Sequence, residues 1–197
     1  MTEVETSGLL FTDGRLRPKA GAAAAAADVS PEAALVEAVR AGDREAFGGL
    51  YRSFAPMVHG VLLARVPYDE VGDLVQEVFL TAFRKLDTLR DAARFGPWVA
   101  MIARNRAMDF HRRARATEEL RDEPARARPA AEAEEALALI RTLPEAYRET
   151  LVLRLVEGMT GPEIAARTGL QPASVRVNLH RGMKLLRERL EGKGRRR

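Results

Sequence analysis

The stretch from Met159 to Leu190 constrains the fold of this chain more than any other, because turn chemistry, helical period and charge all describe one object there. Thr160-Gly161-Pro162-Glu163 reads as a helix start. Thr160 caps the first free amides, Glu163 reaches back to close a capping box, and Pro162 stands in the first turn, where no amide is required. A short helix continues through Ile164, Ala165 and Ala166. Gly169 then offers a position where positive φ is free of steric penalty, Leu170 points inward, and Pro172 opens a second helix with its φ already set. The product is helix, tight turn, helix.

In the second of these helices Val175, Leu179, Gly182, Leu186 and Leu190 recur at three- and four-residue steps, a stripe that faces the protein. Opposite it stand Ala173, Ser174, Val177, His180, Arg181 and Lys184, with Arg176 on the flank. Small residues near the amino end let the backbone approach base edges, and the cations further along meet guanine edges or phosphates, so the helix suits a major groove. The charges alone also describe an amphipathic surface helix with a solvated basic face. The capped helix and the Gly169 turn in front of it favour DNA recognition.

A chain of 197 residues accommodates one or two small domains, each with a modest core. Lys and Arg number 32 against 28 Asp and Glu, a net charge of +4, so attraction to nucleic acid has to be local. The absence of cysteine excludes disulfides, thiolate metal sites and a cysteine nucleophile. No run approaches the roughly 20 apolar residues of a membrane span, and Ala22 to Ala27 is too short. A cytoplasmic protein without membrane insertion is expected.

Residues 1–30 carry glycines, a proline and the alanine run with no sustained period, which predicts a disordered tail. Order begins at Ser30-Pro31-Glu32, a capped helix start. Leu35, Val36, Val39, Phe47, Leu50, Tyr51, Phe54, Val58, Val61, Leu62 and Val66 follow at helical spacing, broken near Gly42 and Pro67, and predict packed helices with core aromatics. A further helix starts at Tyr68 in an acidic first turn, which complements the helix dipole, and buries Val71, Leu74, Val75, Val78, Phe79, Ala82, Phe83 and Leu86. Its outward Asp73, Gln76, Glu77 and Leu80 form either a docking surface for a basic partner helix or an ordinary solvated face, the pattern alone favouring the latter.

A charged loop spans residues 86–95, and Pro97 begins a fourth helix carrying the only tryptophan, Trp98. Its Val99, Ile102, Ala103, Ala107 and Phe110 face inward, while Arg104, Asn105, Met108, His111, Arg112 and Arg115 share an outer sector and Arg113 flanks the stripe. Beside Phe95 and Trp98, such arginines can hold phosphates while a displaced base stacks nearby; they equally serve to keep a helix soluble. Residues 116–131 lose the period and hold Pro124 and Pro129, a flexible linker. A second domain, residues 132–191, follows, with one short helix through Leu137, Ile140 and Leu143, another through Tyr147, Leu151, Val152, Leu155 and Val156 that Gly158 ends, then the helix-turn-helix and a basic tail over 192–197. The class is all-α, two small helical domains joined by a linker.

The motifs Asp73-Leu-Val-Gln-Glu-Val-Phe79, Phe95-Gly-Pro-Trp98, Ile102-Ala-Arg-Asn105 with Asp109, Leu143-Pro144, Glu163-Ile-Ala165 and Val175-Arg-Val-Asn-Leu-His-Arg181 together resemble bacterial RNA polymerase sigma factors of the extracytoplasmic-function type. The resemblance runs from Glu32 to Leu190 in the family's order. It implies a factor that binds core RNA polymerase and directs it to promoters, reading a −10 element with strand opening and a −35 element. By that resemblance Asp73, Gln76, Glu77 and Leu80 bind core polymerase, and this overturns the solvated-face reading. The −10 group is Phe95, Trp98, Arg104, Asn105, Asp109, Arg112 and Arg113, and the −35 group is Ser174, Arg176, Val177, Arg181 and Lys184. The linker would run through the polymerase's RNA-exit region, and an anti-sigma protein is the implied regulator. The resemblance implies no enzymatic activity, cofactor or metal. Gly96-Pro97 stands where the family often has a polar or basic residue, and Gln171 replaces its usual Ser or Thr cap.

Two other classes compete. A stand-alone helix-turn-helix regulator would usually dimerise on a palindrome, yet no dimerisation helix is evident. Catalysis would have to use His59, His111 or His180, which lie on separate elements with no carboxylate at triad or metal-ligand spacing.

Overall fold

The computed structural model describes residues 9–12, 15–18, 30–118 and 132–194. Among the described residues eight α-helices follow a short hairpin: α1 Pro31–Arg40, α2 Arg44–Leu63, α3 Tyr68–Lys85, α4 Phe95–Glu118, α5 Glu132–Arg141, α6 Glu145–Leu155, α7 Gly161–Thr168 and α8 Pro172–Gly194. Helices α1–α4 pack on one another as a first domain and α5–α8 as a second. The fold is helical, as the periodicities predict.

The capping chemistry read from the sequence is realised. Ser30 Oγ accepts from Ala33 N with Pro31 in the first turn, and Thr160 and Glu163 close a reciprocal capping box. Gly42 turns the chain at φ 101° between α1 and α2, where Asp43 caps the second helix. Gly169 ends α7 in the left-handed region at φ 75°.

Several expectations are corrected. Part of the 1–30 tail is paired backbone: β1 (Leu9–Thr12) and β2 (Arg15–Pro18) form an antiparallel hairpin in the register Leu9 to Pro18 and Thr12 to Arg15. The two residues between the strands are Asp13-Gly14, a strong two-residue hairpin signal that a search for sustained periods overlooks. The rest of that tail lies outside the described residues. Residues 86–95 are not an irregular loop but two 3-10 turns, Leu86–Thr88 and Ala92–Arg94, and α4 begins at Phe95 rather than Pro97. The linker expected from 116 is helical through Glu118, and 119–131 lies outside the described residues. Likewise α8 continues to Gly194, into the expected basic tail.

The largest difference is that the two domains share one core. Buried side chains of α2, α3 and α4 run without a break into Ile140, Leu143, Leu151, Val152, Leu153 and Ile164 of the second domain. Helix α6 lies on α2, and α7 lies on α4. Close approach is possible because α2 presents Gly60, where a Cβ would stand 2.7 Å from Leu153 Cδ2. Arg141 at the end of α5 donates to Leu63 O at 3.0 Å, satisfying a carbonyl left over at the C-terminus of α2, where the helix dipole also favours a cation. Arg167 of α7 donates to Ser53 O, beside the exposed Pro56, and its guanidinium lies 5.5 Å from the centre of the Phe54 ring. Helix α6 is therefore buried on two sides, and its last turn is not: Leu155 and Val156, expected inward, are each 48% exposed. Leu190, expected on the α8 stripe, is also exposed.

Gly169 separates backbone strain from domain packing. An alanine there adopts a positive φ and brings its Cβ within 2.9 Å of Pro97 Cβ in the other domain, whereas Gly158, at φ 69°, has nothing within 4 Å. Both alanine variants are expected to lose about 1–2 kcal/mol from the left-handed conformation. Gly169→Ala loses more, and urea unfolding of the two side by side measures the excess; equal losses would mean that the Pro97 contact contributes nothing.

Candidate nucleic-acid interface

Helix α3 turns a mixed face outward. Asp73, Gln76 and Leu80 are exposed there, as expected, but Glu77 is half-buried and its carboxylate lies 3.4 Å from Arg106 Nε of α4. Thr81 ties the same place together, accepting from Arg106 Nη2 at 3.2 Å and donating to Glu77 O at 2.8 Å. Glu77 thus joins α3 to α4 as well as facing outward. Next to Gln76 and Leu80, the aromatic side chains Tyr51 and Phe83 are 41% and 40% exposed. With Phe47 and Phe79 they line a shallow hollow of about 340 Å³. Tyr51 and Phe83 were read as core; Phe47 packs edge-on to Phe83 at 5.0 Å, which closes the inner side of the patch and leaves its outer side bare. The signal available in the sequence was the excess of apolar residues on α3, more than one buried stripe needs.

The −10 group does not stay together. Phe95 is fully buried, 5.1 Å from Phe54 and 5.8 Å from Trp98 between ring centres, so in this arrangement of the chain it packs in the core rather than facing outward with the others. The reason is local: Gly96 lets α4 press against α7, where a Cβ would stand 2.8 Å from Arg167 O, and this closes the space over Phe95. Trp98 is half-buried and, with Arg90, Arg94, Pro97 and Met101, lines a hollow of about 260 Å³ anchored by the buried Leu89. Asn105, Arg112 and Arg113 are exposed, and Asp109 pairs with Arg112 at 3.0 Å.

Arg104 leaves that face altogether. Its Nε and Nη2 donate to Glu149 Oε2 and Oε1 of α6 at 3.0 and 2.7 Å, a two-pronged grip on the carboxylate. Arg65, just past α2, donates from Nη2 to the same Oε2 at 2.7 Å. Glu149 is 4% exposed. Burial alone would raise its pKa, but the hydrogen bonds and charges of Arg104 and Arg65 outweigh that and hold the carboxyl below the usual range. Burial opposes the charged form of Arg104 too, and Glu149 reverses the balance, raising its pKa. Sequence reasoning missed Glu149 and Arg65. A trace existed in α6, where Leu151, Val152 and Leu153 are consecutive and all buried, so a charge one turn earlier on the second buried side requires partners.

The −35 group remains whole. Ser174, Arg176, Val177, Arg181 and Lys184 are all exposed along α8. Arg176, Arg181 and Lys184 make no hydrogen bond or ion pair with the other described residues, so their charge faces solvent. At the start of α7, Thr160 donates to Glu163 and holds its carboxyl below the usual range.

One histidine expectation is corrected: His59 Nδ1 lies 2.6 Å from Glu157 Oε1, a pairing across the domains that sequence distance concealed. His111 Nε2 contacts Arg65 O at 2.9 Å. Among the described residues no cluster of three or more His, Asp or Glu could hold a metal, and no helix is long and apolar enough to cross a membrane.

Two family models match this chain, "Sigma-70 region 2" over residues 50–117 and "Sigma-70, region 4" over 133–186. The RNA polymerase sigma factor CarQ of Myxococcus xanthus is 33% identical over 165 residues, 79% of this chain and 95% of that protein. The ECF RNA polymerase sigma-E factor of Escherichia coli K12 is 29% identical, covering 80% and 93%. Among solved structures, CnrH in complex with the cytosolic domain of CnrY superposes with a TM-score of 0.61 at 27% identity, covering 83% of this chain and 99% of that one.

Because the Glu149 carboxyl titrates lower in the folded than in the unfolded chain, its ion pairs stabilise the fold fully above the unfolded pKa of about 4.3, and that contribution is lost as pH falls through the folded value. Urea unfolding from neutral pH to about pH 3 is expected to show a decline in stability, part of which is absent from Glu149→Gln. Parallel curves would show that Glu149 is not the ionised partner. Glu149→Ala, which leaves two arginines without their anion, is expected to cost about 3–5 kcal/mol.

Proposed function

The chain belongs to the extracytoplasmic-function group of the sigma-70 family of RNA polymerase sigma factors, and from that premise we propose how its surfaces divide the work of initiation. Its function is to bind core RNA polymerase and direct it to promoters. The face bearing Asp73, Gln76, Glu77 and Leu80 docks on core polymerase, and the bare aromatic patch of Tyr51 and Phe83 extends it. This patch is the observation that carries the assignment, since large exposed apolar side chains gathered around one hollow suit a partner surface.

The hollow beside Trp98, rimmed by Arg90 and Arg94, suits an unstacked base of the −10 element, while Asn105, Arg112 and Arg113 hold the strand. Phe95 supports this site from beneath as the core residue on which Trp98 packs. Ser174, Arg176, Val177, Arg181 and Lys184 enter the −35 major groove. Neither DNA surface is large, so binding gains from the second contact being tethered to the first, and specificity resides in the holoenzyme. The chain works in the cytoplasm alongside the polymerase and itself catalyses no reaction. An anti-sigma protein regulates it, a reading supported by the similar CnrH being found with the cytosolic domain of CnrY.

Run-off transcription with bacterial core polymerase and a set of genomic promoter fragments tests the assignment. Wild-type protein is expected to yield transcripts starting at a common distance from a shared −10 and −35 pair. Gln76→Ala combined with Leu80→Ala weakens polymerase binding by about 2 kcal/mol. Arg176→Ala costs about 1–3 kcal/mol and relaxes choice at one −35 base pair; a uniform loss across all promoters would assign Arg176 to phosphate. Failure of the wild-type protein to direct core polymerase to any fragment would refute the assignment.

A further inference from the structure

A cleft of about 590 Å³ lies between the second half of α4 and the first turn of α6, and cations dominate its walls. Arg65, Met108, His111, Arg112, Arg115 and Arg148 line it, and Glu145 is the one carboxylate among its described lining residues. Three of these side chains are held by backbone carbonyls. Arg65 Nη1 donates to Val61 O at 3.0 Å, His111 Nε2 donates to Arg65 O at 2.9 Å, and Arg148 Nε donates to Leu143 O at 2.5 Å. Much of the wall is therefore set before a ligand arrives. Its charge is not balanced. Glu149 takes Arg65 and Arg104, Glu145 lies 3.7 Å from Arg65, and Asp109 takes Arg112, but Arg115 and Arg148 pair with no carboxylate among the described residues. Two positive charges are left for an outside anion, in a cleft whose low-dielectric walls concentrate their field.

The second feature is apolar. Met108 is 60% exposed within this cationic lining, and a thioether packs well against an aromatic ring. We propose that the cleft is a binding site for a nucleoside di- or triphosphate, with the polyphosphate on Arg112, Arg115 and Arg148 and the base on Met108. A guanidinium fork matches phosphate oxygens in pairs, and two unanswered charges suit a chain of phosphates better than a single one. The volume lies within the range of small-ligand sites. A compact ligand fits better than a strand of nucleic acid, because the cations converge on one hollow from α4, α6 and the turn after α2 instead of following a groove. Both domains contribute, Arg148 from the second and the others from the first. The site goes beyond the promoter function and does not rest on it, since Arg115 and Arg148 stand outside the residues assigned to DNA.

Isothermal titration calorimetry of the full chain with magnesium-free ATP, at one fixed ionic strength, tests the site. Saturable binding is expected. Arg115→Ala, at an exposed position, and Arg148→Ala are each expected to weaken it about tenfold while circular dichroism keeps the helical signal. Arg187→Ala, which removes an exposed cation of α8 outside the cleft, leaves it unchanged. Inorganic tripolyphosphate, which carries the charge without the base, is expected to bind about tenfold more weakly than ATP, and Met108→Ala removes that difference. Equal losses from Arg187→Ala and Arg115→Ala would reduce the binding to diffuse attraction and overturn the site. Tripolyphosphate binding as tightly as ATP would overturn the nucleotide assignment. Absence of ATP binding would overturn the proposal outright, and a single-stranded oligonucleotide weakened by Arg148→Ala would then give the cleft to nucleic acid.

Discussion

Glu149 is a carboxylate withdrawn almost entirely from water, and the packing of the two domains depends on the arginines that make its charge tolerable. Removing an ion from water costs several kcal/mol, and attraction to two guanidinium groups offsets much of that without a large surplus. Such a junction is specific rather than strong. Loss of one partner is severe because the others remain buried, yet transfer of all partners to new counter-ions is close to balanced.

The backbone makes the junction possible. Gly60 and Gly96 let helices of different domains approach to distances at which a Cβ would overlap a neighbour, and Gly169 turns the chain against Pro97. Arg141 and Arg167 then use carbonyls of α2 that would otherwise face water. The consequences for the DNA surfaces are unequal. Helix α8 keeps Arg176, Arg181 and Lys184 turned to solvent, whereas Arg104 is taken up by the junction and Phe95 by the core. The chain therefore exposes the cations of α8 and holds Arg104 and Phe95 inside.

The aromatic patch is lined by α2 and α3 alone, with no residue of the second domain. Tyr51 and Phe83 belong to helices whose inner faces are already filled by Leu50, Phe54, Phe79 and Ala82, so there is no room for them inside. Exposed aromatics of this kind raise the cost of leaving the surface bare and the gain from covering it. The face that α3 turns outward is consequently apolar around Tyr51 and Phe83 and acidic or amide-bearing around Asp73 and Gln76, a combination the outward polar row alone did not convey.

Local chemistry was legible wherever it depended on near neighbours in the chain. Ser30, Asp43, the Thr160 and Glu163 box, the Gly169 turn and the exposed row on α8 follow from capping, dihedral freedom and helical period, all properties of a few consecutive residues. The family motifs are likewise short. The hairpin around Asp13-Gly14 was legible but overlooked, because two four-residue strands are too short to establish a period. What tertiary structure alone decided is which side chains share a site across long separations: Arg65 and Arg104 with Glu149, His59 with Glu157, Phe95 beneath α7. Periodicity marks a face as outward from its own helix, but a second domain can cover that face, and only the packing of the whole chain determines whether a charge there meets water, a carboxylate or DNA.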